Sequence, residues 1–196
     1  MNDNRTEILR DLLQDFSTAV LLSHTDPDWW HARPMAIARV EENGDLWFIT
    51  NVQSAKVREI EADTRVQVIC QNGWSSCAVV TGHAGLVRDR EMIREMWQPA
   101  FKIWFPGGVE DPDIVLIRVA GERGEYWDNT GVNRLIYIYE SLKAIVKGTT
   151  PEISEGRQHG VVTLSPVSSQ VASQEDIGNP GVPQRPTQAT PLNPIE

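Results

Sequence analysis

The sequence predicts an α+β fold, mainly β, in which a small antiparallel β-barrel carries flanking helices. Six segments alternate apolar with polar residues and are bounded by turn-forming residues, which is typical of strands. These segments do not alternate regularly with helices, as the strands of a doubly wound parallel sheet would. Gly82 and Gly85 lie inside a strand pattern and not at a strand-to-helix turn, so a Rossmann nucleotide site is not expected.

The helices are predicted from apolar residues spaced three and four positions apart. Ile8, Leu9 and Leu12 would share one face of a helix over residues 5–15. Similar spacing predicts helices over 54–62 and 88–97 and a closing helix over 135–145.

The strands follow from period-two patterns that end at turn signals. They are predicted over residues 18–23, 34–40, 46–50, 65–71, 75–86 and 114–127. Glu42-Asn-Gly-Asp joins the second strand to the third, and Asn72-Gly73 joins the fourth to the fifth. Antiparallel strands joined by tight turns favour a barrel. Trp29 and Trp30 fall in the predicted loop between the first two strands.

The composition changes near residue 150 and divides the chain into a domain over 1–150 and a tail over 151–196. The tail contains no aromatic residue and no lysine, but it contains seven of the twelve prolines. Such a segment has little apolar surface to offset the entropy lost on ordering. We therefore predict a Pro-rich, disordered C-terminal tail.

Charge and composition exclude several classes of function. The formal net charge is −9, so the phosphate backbone of a nucleic acid would be repelled. No apolar run approaches the roughly 20 residues of a membrane span, and the charged N-terminus does not resemble a secretory signal. Four histidines and two cysteines show no metal-ligand spacing. A cytoplasmic protein without nucleic-acid, membrane or metal binding is expected.

The junction between the third strand and the second helix carries the main chemical signal. A strand ends at Thr50, Ser54 is a favourable helix N-cap, and Lys56 falls in the first helical turn. A cation there opposes the positive end of the helix dipole unless an anion binds nearby. Two interpretations remain open: an anion site, or a solvated helix on which Glu59 and Glu61 offset Lys56 and Arg58.

Arg33, at the start of the preceding strand, strengthens the first interpretation. In an antiparallel meander this strand pairs with the one ending at Thr50, so Arg33 can lie near the start of the helix. Its planar guanidinium is suited to binding a phosphate.

The combined pattern resembles the FMN-binding signature of the pyridoxamine 5′-phosphate oxidase-like split barrels. It comprises Arg33-Pro-Met followed by Thr50-Asn51-x-x-Ser54-x-Lys56-x-x-Glu59-Ile60. The run Trp104-Phe-Pro-Gly-Gly and the later Glu125-Tyr-Trp-Asp resemble the general-stress-protein branch of that superfamily. The resemblance covers about residues 5–146.

The resemblance implies an antiparallel split β-barrel that forms a homodimer, with FMN in a cleft between the subunits. It implies that the phosphate end is held by Arg33, Thr50, Ser54 and Lys56, and that Pro34, Met35 and Asn51 border the flavin. It also implies that Trp127 approaches the FMN of the partner subunit. Trp29 and Trp30 could cover the flavin or the dimer interface, or form a local loop cluster. Trp97, Trp104 and Phe105 are interpreted as core or interface packing residues, with contact to the flavin as the less favoured alternative.

Two departures argue against oxidation of pyridoxamine phosphate. The lysine and the C-terminal Arg-Leu-His of true oxidases correspond here to Ala38 and to Arg134-Leu-Ile136. What the resemblance still implies is an FMN-dependent oxidoreductase acting with a small-molecule reductant or substrate. A non-catalytic flavin carrier or sensor and a binder of haem or a deazaflavin remain alternatives.

Overall fold

A computed structural model describes residues 2–26, 29–73, 75–130 and 158–164 of the chain. The helices are α1 (Asn2–Gln14), α2 (Ala55–Ala62) and α3 (Arg90–Met96), with a 3-10 helix over Pro99–Ile103. The strands are β1 (Thr18–Asp26), β2 (Trp29–Val40), β3 (Leu46–Asn51), β4 (Arg65–Asn72), β5 (Ser76–Val87), β6 (Ile114–Asp128) and β7 (His159–Thr163).

Six antiparallel strands close into a barrel. The sheet order is β3-β2-β1-β4-β5-β6, and β3 also pairs with β6 from Leu46 opposite Val119 to Asn51 opposite Ile114. This pairing leaves no free edge along β3, and it confirms the predicted antiparallel split barrel with flanking helices. The strand patterns also gave the correct neighbours, because β2 pairs with β3 and β4 pairs with β5.

The predicted tight turns require glycine at two positions. Gly44 between β2 and β3 has φ +87°, and Gly73 after β4 has φ +55°. These values lie in the left-handed region, which side chains with a Cβ atom rarely adopt. The two turns therefore set the register of the hairpins that they close.

The apolar residues form two separate clusters. The larger cluster fills the barrel and includes Leu9 and Leu13 of α1, Leu21 and Phe48, all nearly fully buried. The second cluster lies between the sheet and the segment from α3 to the 3-10 helix. This outer cluster holds the 3-10 helix against β3.

The strand β7 corrects the prediction of a wholly disordered tail. Within the segment 151–196, residues 159–163 pair with β6, from Trp127 opposite His159 to Arg123 opposite Thr163. Val162 and Leu164 are almost fully buried in the barrel cluster. Along one edge, β6 pairs with β5. Along its other edge, β6 pairs first with β3 and then with β7. The rest of this segment lies outside the described residues.

A substitution in β7 tests whether this strand belongs to the folded domain. Val162→Ala should lower the free energy of unfolding by about 1.5 kcal/mol, because two buried methyl groups are lost at about 0.8 kcal/mol each. Val161→Ala is the matched control, because Val161 is 37% exposed. Urea unfolding followed by circular dichroism measures both variants. Equal, negligible changes would show that β7 contributes nothing to the stability of the domain.

Several element boundaries differ from the prediction. β2 begins at Trp29 and not at Pro34, so Trp29 and Trp30 are strand residues and not loop residues. The predicted helix over 135–145 lies outside the described residues. In the described part of the chain, no helix is long and apolar enough to cross a membrane.

Candidate functional site

A cavity of about 480 Å³ opens between the barrel wall and the 3-10 helix. Its walls come from β2, β3, the start of α2 and the residues around the 3-10 helix. Six of the eight residues predicted from the sequence line it: Pro34, Met35, Thr50, Asn51, Ser54 and Lys56. The remaining lining residues are Thr18, Ala36, Ile49, Phe101, Trp104 and Phe105.

One end of the cavity is polar because β3 ends there and α2 begins. The Nζ of Lys56 donates a hydrogen bond of 3.0 Å to the Oγ1 of Thr50. The same Oγ1 lies 3.4 Å from the Oγ of Ser54. The Oδ1 of Asn51 accepts a hydrogen bond of 2.8 Å from the backbone N–H of Gln53, which shapes the connecting turn. An ammonium and two hydroxyl groups thus lie together at one end.

The start of α2 adds the positive end of a helix dipole to these groups. Ser54 is the N-cap residue, as predicted, but its side chain makes no capping hydrogen bond. The first turn of α2 contains no acidic residue. A helix start without an acidic side chain or a side-chain cap favours an anionic ligand.

The electrostatic environment of Lys56 also favours a bound anion. Burial lowers the pKa of Lys56, the charge of Arg33 lowers it further, and Glu59 opposes the shift. A phosphate beside the ammonium would offset both unfavourable effects. The site therefore carries excess positive charge that a bound anion would neutralise.

Arg33 lies behind this polar end and does not line the cavity. Its guanidinium forms an ion pair with the carboxylate of Glu59, and its Nη1 donates a hydrogen bond of 2.5 Å to the Oγ of Ser23. The side chain is only 12% exposed. Arg33 adjoins Pro34, which does line the cavity, but its contact with a phosphate stays a prediction.

The charges around α2 follow the solvated-helix interpretation only in part, because Glu59 favours the charged form of Lys56 but pairs directly with Arg33. Glu59 binds Arg33, and its Oε1 lies 3.0 Å from the Nδ1 of His31. Arg58 donates a hydrogen bond of 2.9 Å to the backbone carbonyl of Gln53. Lys56 therefore has Thr50, and not a carboxylate, as its hydrogen-bond partner.

The contacts of Glu59 with Ser23, His31 and Arg33 predict that the free energy of unfolding falls in acid. Burial alone would raise the pKa of Glu59, but hydrogen bonds from Ser23 and His31 and the charge of Arg33 together lower it. The stabilisation is present above the ordinary carboxyl pKa of 4.5 and is lost as the pH falls through the lower folded-state value. Glu59→Gln should therefore lose less stability than the wild type between pH 6 and pH 3, measured by urea unfolding. Parallel losses in both proteins would contradict this assignment.

The lining also includes a group of aromatic residues, which the sequence did not assign to the site. Phe101 and Phe105 are buried in the outer cluster, as expected of packing residues, yet both also line the cavity. Trp104 lines it too and is 61% exposed. The spacing of these residues gave no sign of this role, because the docking of the 3-10 helix places them there. The resemblance of Trp104-Phe-Pro-Gly-Gly to the stress-protein branch was the only available signal.

Trp127 is not among the residues that line the cavity of its own chain. It lies near the end of β6, opposite Cys77 of β5 and His159 of β7. Its ring stacks on His159 at a centroid distance of 5.1 Å. The approach of Trp127 to the flavin of a partner subunit stays a prediction.

The chemistry that the cavity residues can perform is restricted. The described residues that line it include neither a carboxylate nor a histidine, so they supply no general acid or base of those types. Among the described residues, no group of three potential ligands could hold a metal ion. The lining combines groups that suit an anion, Lys56, Thr50 and Ser54, with aromatic groups that suit an apolar or aromatic ligand.

Comparisons with known proteins place this geometry in a family. A family model described as "Pyridoxamine 5'-phosphate oxidase like" matches residues 4–152. A curated relative, Protein bli-3 of Neurospora crassa, is 34% identical over 158 residues, which cover 74% of this chain and 69% of that protein.

Two solved structures share the fold. A putative general stress protein 26 from Jannaschia sp. CCS1 is 25% identical with a TM-score of 0.67, covering 82% of this chain and 99% of that chain. General stress protein 26 from Bacillus anthracis str. Sterne is 26% identical with a TM-score of 0.57, covering 64% of this chain and 94% of that chain.

Proposed function

The chain belongs to the pyridoxamine 5′-phosphate oxidase-like family, and on this basis we propose that it is an FMN-binding flavoprotein of the stress-associated split-barrel type. The observation that supports the proposal best is the cavity, whose lining combines a cationic, hydroxyl-rich group of residues with an aromatic group. FMN has the same division, because a phosphate and a planar ring system lie at its two ends. The volume of about 480 Å³ falls within the range of ordinary cofactor sites.

The polar residues fit the phosphate of FMN. At pH 7 a phosphate monoester carries between one and two negative charges and has three acceptor oxygens. Lys56, Thr50 and Ser54 would donate to these oxygens, with the start of α2 and the charge of Arg33 supporting them. Pro34, Met35 and Asn51 would border the flavin. When bound, FMN would supply redox chemistry, and the protein would bind and orient it.

We further propose a homodimer in which Trp127 of the partner subunit approaches the flavin. Two features support this proposal. Trp127 does not line the cavity of its own chain, and Trp29 and Trp30 expose 71% and 48% of their surface. Large exposed aromatic side chains are typical of interfaces. Light scattering after size exclusion should give twice the chain mass of 22.0 kDa, and a monomer would contradict this proposal.

The proposed reaction is electron transfer between FMN and a small-molecule reductant or substrate. Oxidation of pyridoxamine phosphate itself is not proposed, because Ala38 stands where true oxidases have a lysine. A flavin carrier or sensor is the second candidate, and the lack of carboxylates and histidines among the described cavity residues favours it. A cytoplasmic location stays a prediction from the sequence.

The absorption spectrum of the purified protein tests the cofactor proposal. We expect flavin absorbance near that of bound FMN, or its appearance on titration of the apoprotein with FMN. A spectrum of haem, or no response to FMN, would contradict the proposal. Steady oxidation of a reduced nicotinamide by the holoprotein would identify an oxidoreductase, whereas tight binding without turnover would identify a carrier.

A further inference from the structure

The cavity has an aromatic wall, formed by Phe101, Trp104 and Phe105, that the assignment of a phosphate site leaves unexplained. All three residues line the cavity. They lie in or directly after the 3-10 helix Pro99–Ile103, opposite the residues of β2 and β3 that complete the cavity.

Two members of the aromatic wall are fixed by packing. Phe101 is 3% exposed and Phe105 is 5% exposed. The ring of Trp97 lies 5.9 Å from that of Phe101 and 6.4 Å from that of Phe105, in edge and tilted arrangements. Aromatic pairs at such distances are mutually stabilising. Packing therefore holds Phe101 and Phe105 in place.

Trp104 packs beside Phe101 but is not itself buried. Its ring lies 6.4 Å from that of Phe101, yet 61% of its surface is exposed. An indole that lines a cavity while keeping most of its surface exposed has a free face for a ligand ring. By contrast, the neighbouring Ile103 is 76% exposed and does not line the cavity.

The polar and aromatic parts of the lining differ in charge. Lys56 is the charged residue among the described lining residues, and it lies with Thr50 and Ser54. The aromatic wall contributes no ionisable group. A ligand that joins an anionic group to a planar ring would match both parts of the lining.

We propose that Trp104 is a specificity-determining residue that contacts the ring system of the bound ligand, independently of the phosphate. This inference rests on the proposed function, in which that ring is the isoalloxazine of FMN. Lys56 and Trp104 then make separable contributions: the lysine selects for the phosphate and the tryptophan selects for the ring.

The test compares FMN with riboflavin on three proteins: wild type, Trp104→Ala and Ile103→Ala. Isothermal titration should show that Trp104→Ala weakens both flavins by the same factor, roughly 5- to 50-fold, because a ring contact is lost in each case. Ile103→Ala should bind both flavins like the wild type. Trp104→Phe should recover part of the lost affinity, because it restores an aromatic ring.

The outcomes separate this inference from the proposed function. Unchanged affinities in a folded Trp104→Ala variant, or a loss confined to FMN, would overturn the role of Trp104 while leaving FMN binding intact. A wild-type protein that binds neither flavin would overturn the proposed function and this inference with it. If Trp104→Ala does not fold, Trp104→Leu keeps apolar volume without a ring and should show the same loss for both flavins.

Discussion

Replacing Asp45 with alanine should lower the free energy of unfolding by about 3 kcal/mol, because it removes the buried carboxylate that forms an ion pair with Arg118. Asp45 is 2% exposed and lies at the end of the turn between β2 and β3. Its Oδ2 accepts hydrogen bonds of 2.6 Å from Nη2 and 2.8 Å from Nε of Arg118 on β6. The guanidinium also lies 5.8 Å from the ring centroid of Trp47.

This ion pair joins the strands that close the barrel. Asp45 immediately precedes β3, and Arg118 lies opposite Trp47 in the β3–β6 pairing. Its loss therefore weakens closure as well as leaving the charge of Arg118 partly buried. Urea unfolding followed by tryptophan fluorescence measures the effect.

Asp11→Ala provides the matched control for Asp45→Ala. Asp11 also pairs with an arginine, Arg10, but its side chain is 66% exposed. Exposed ion pairs contribute little because water and salt screen them. We expect this control to unfold at the same urea concentration as the wild type. If Asp45→Ala did so too, the ion pair with Arg118 would have no role in holding the barrel closed.

Lys56→Ala should weaken FMN binding about 10- to 100-fold, because one charge-assisted hydrogen bond contributes about 1.5–3 kcal/mol. The ammonium is the cation that lines the polar end of the cavity, and its hydrogen bond to Thr50 positions it there. Riboflavin lacks the phosphate, so its affinity should hardly change. Fluorescence titration of each flavin measures both affinities.

Arg58→Ala controls for a general loss of positive charge from α2. Arg58 lies two residues after Lys56 but donates to the backbone carbonyl of Gln53 and does not line the cavity. We expect FMN affinity within about twofold of the wild type. A similar loss in both variants would show that net charge, and not a contact of Lys56, governs binding.

Most of the polar end of the cavity could be predicted because its residues are close in sequence. Thr50, Ser54 and Lys56 fall within one strand-to-helix connection, so local patterns bring them together. Pro34 and Met35 join them through pairing of β2 with β3, which the tight turn at Gly44 signals. The family resemblance added the identity of the expected anion.

The remaining features depend on contacts between distant residues. Arg33 meets Glu59, 26 residues later, and local spacing cannot show that the arginine has a carboxylate partner. Trp104 reaches the cavity because the outer cluster holds the 3-10 helix against β3. Aromatic residues near a helix predict burial in general, but not which surface they cover.

The strand β7 was not predicted because its sequence pattern is only five residues long. Five residues pair with β6, and the buried hydrophobic side chains of the described segment are those of Val162 and Leu164. The surrounding segment is rich in proline and poor in aromatic residues, so its average composition indicates disorder. The short strand β7 forms by pairing with one edge of β6, which the local sequence of residues 159–163 does not reveal.

The most direct measurement is the affinity of the purified wild-type protein for FMN relative to riboflavin, determined by isothermal titration under one set of buffer conditions. If the β3–α2 junction holds the phosphate, FMN should bind at least about tenfold more tightly, since the phosphate adds at least one charge-assisted contact. Inorganic phosphate should compete with FMN but not with riboflavin. Equal affinities for the two flavins, with no competition by phosphate, would contradict a phosphate site at Thr50, Ser54 and Lys56.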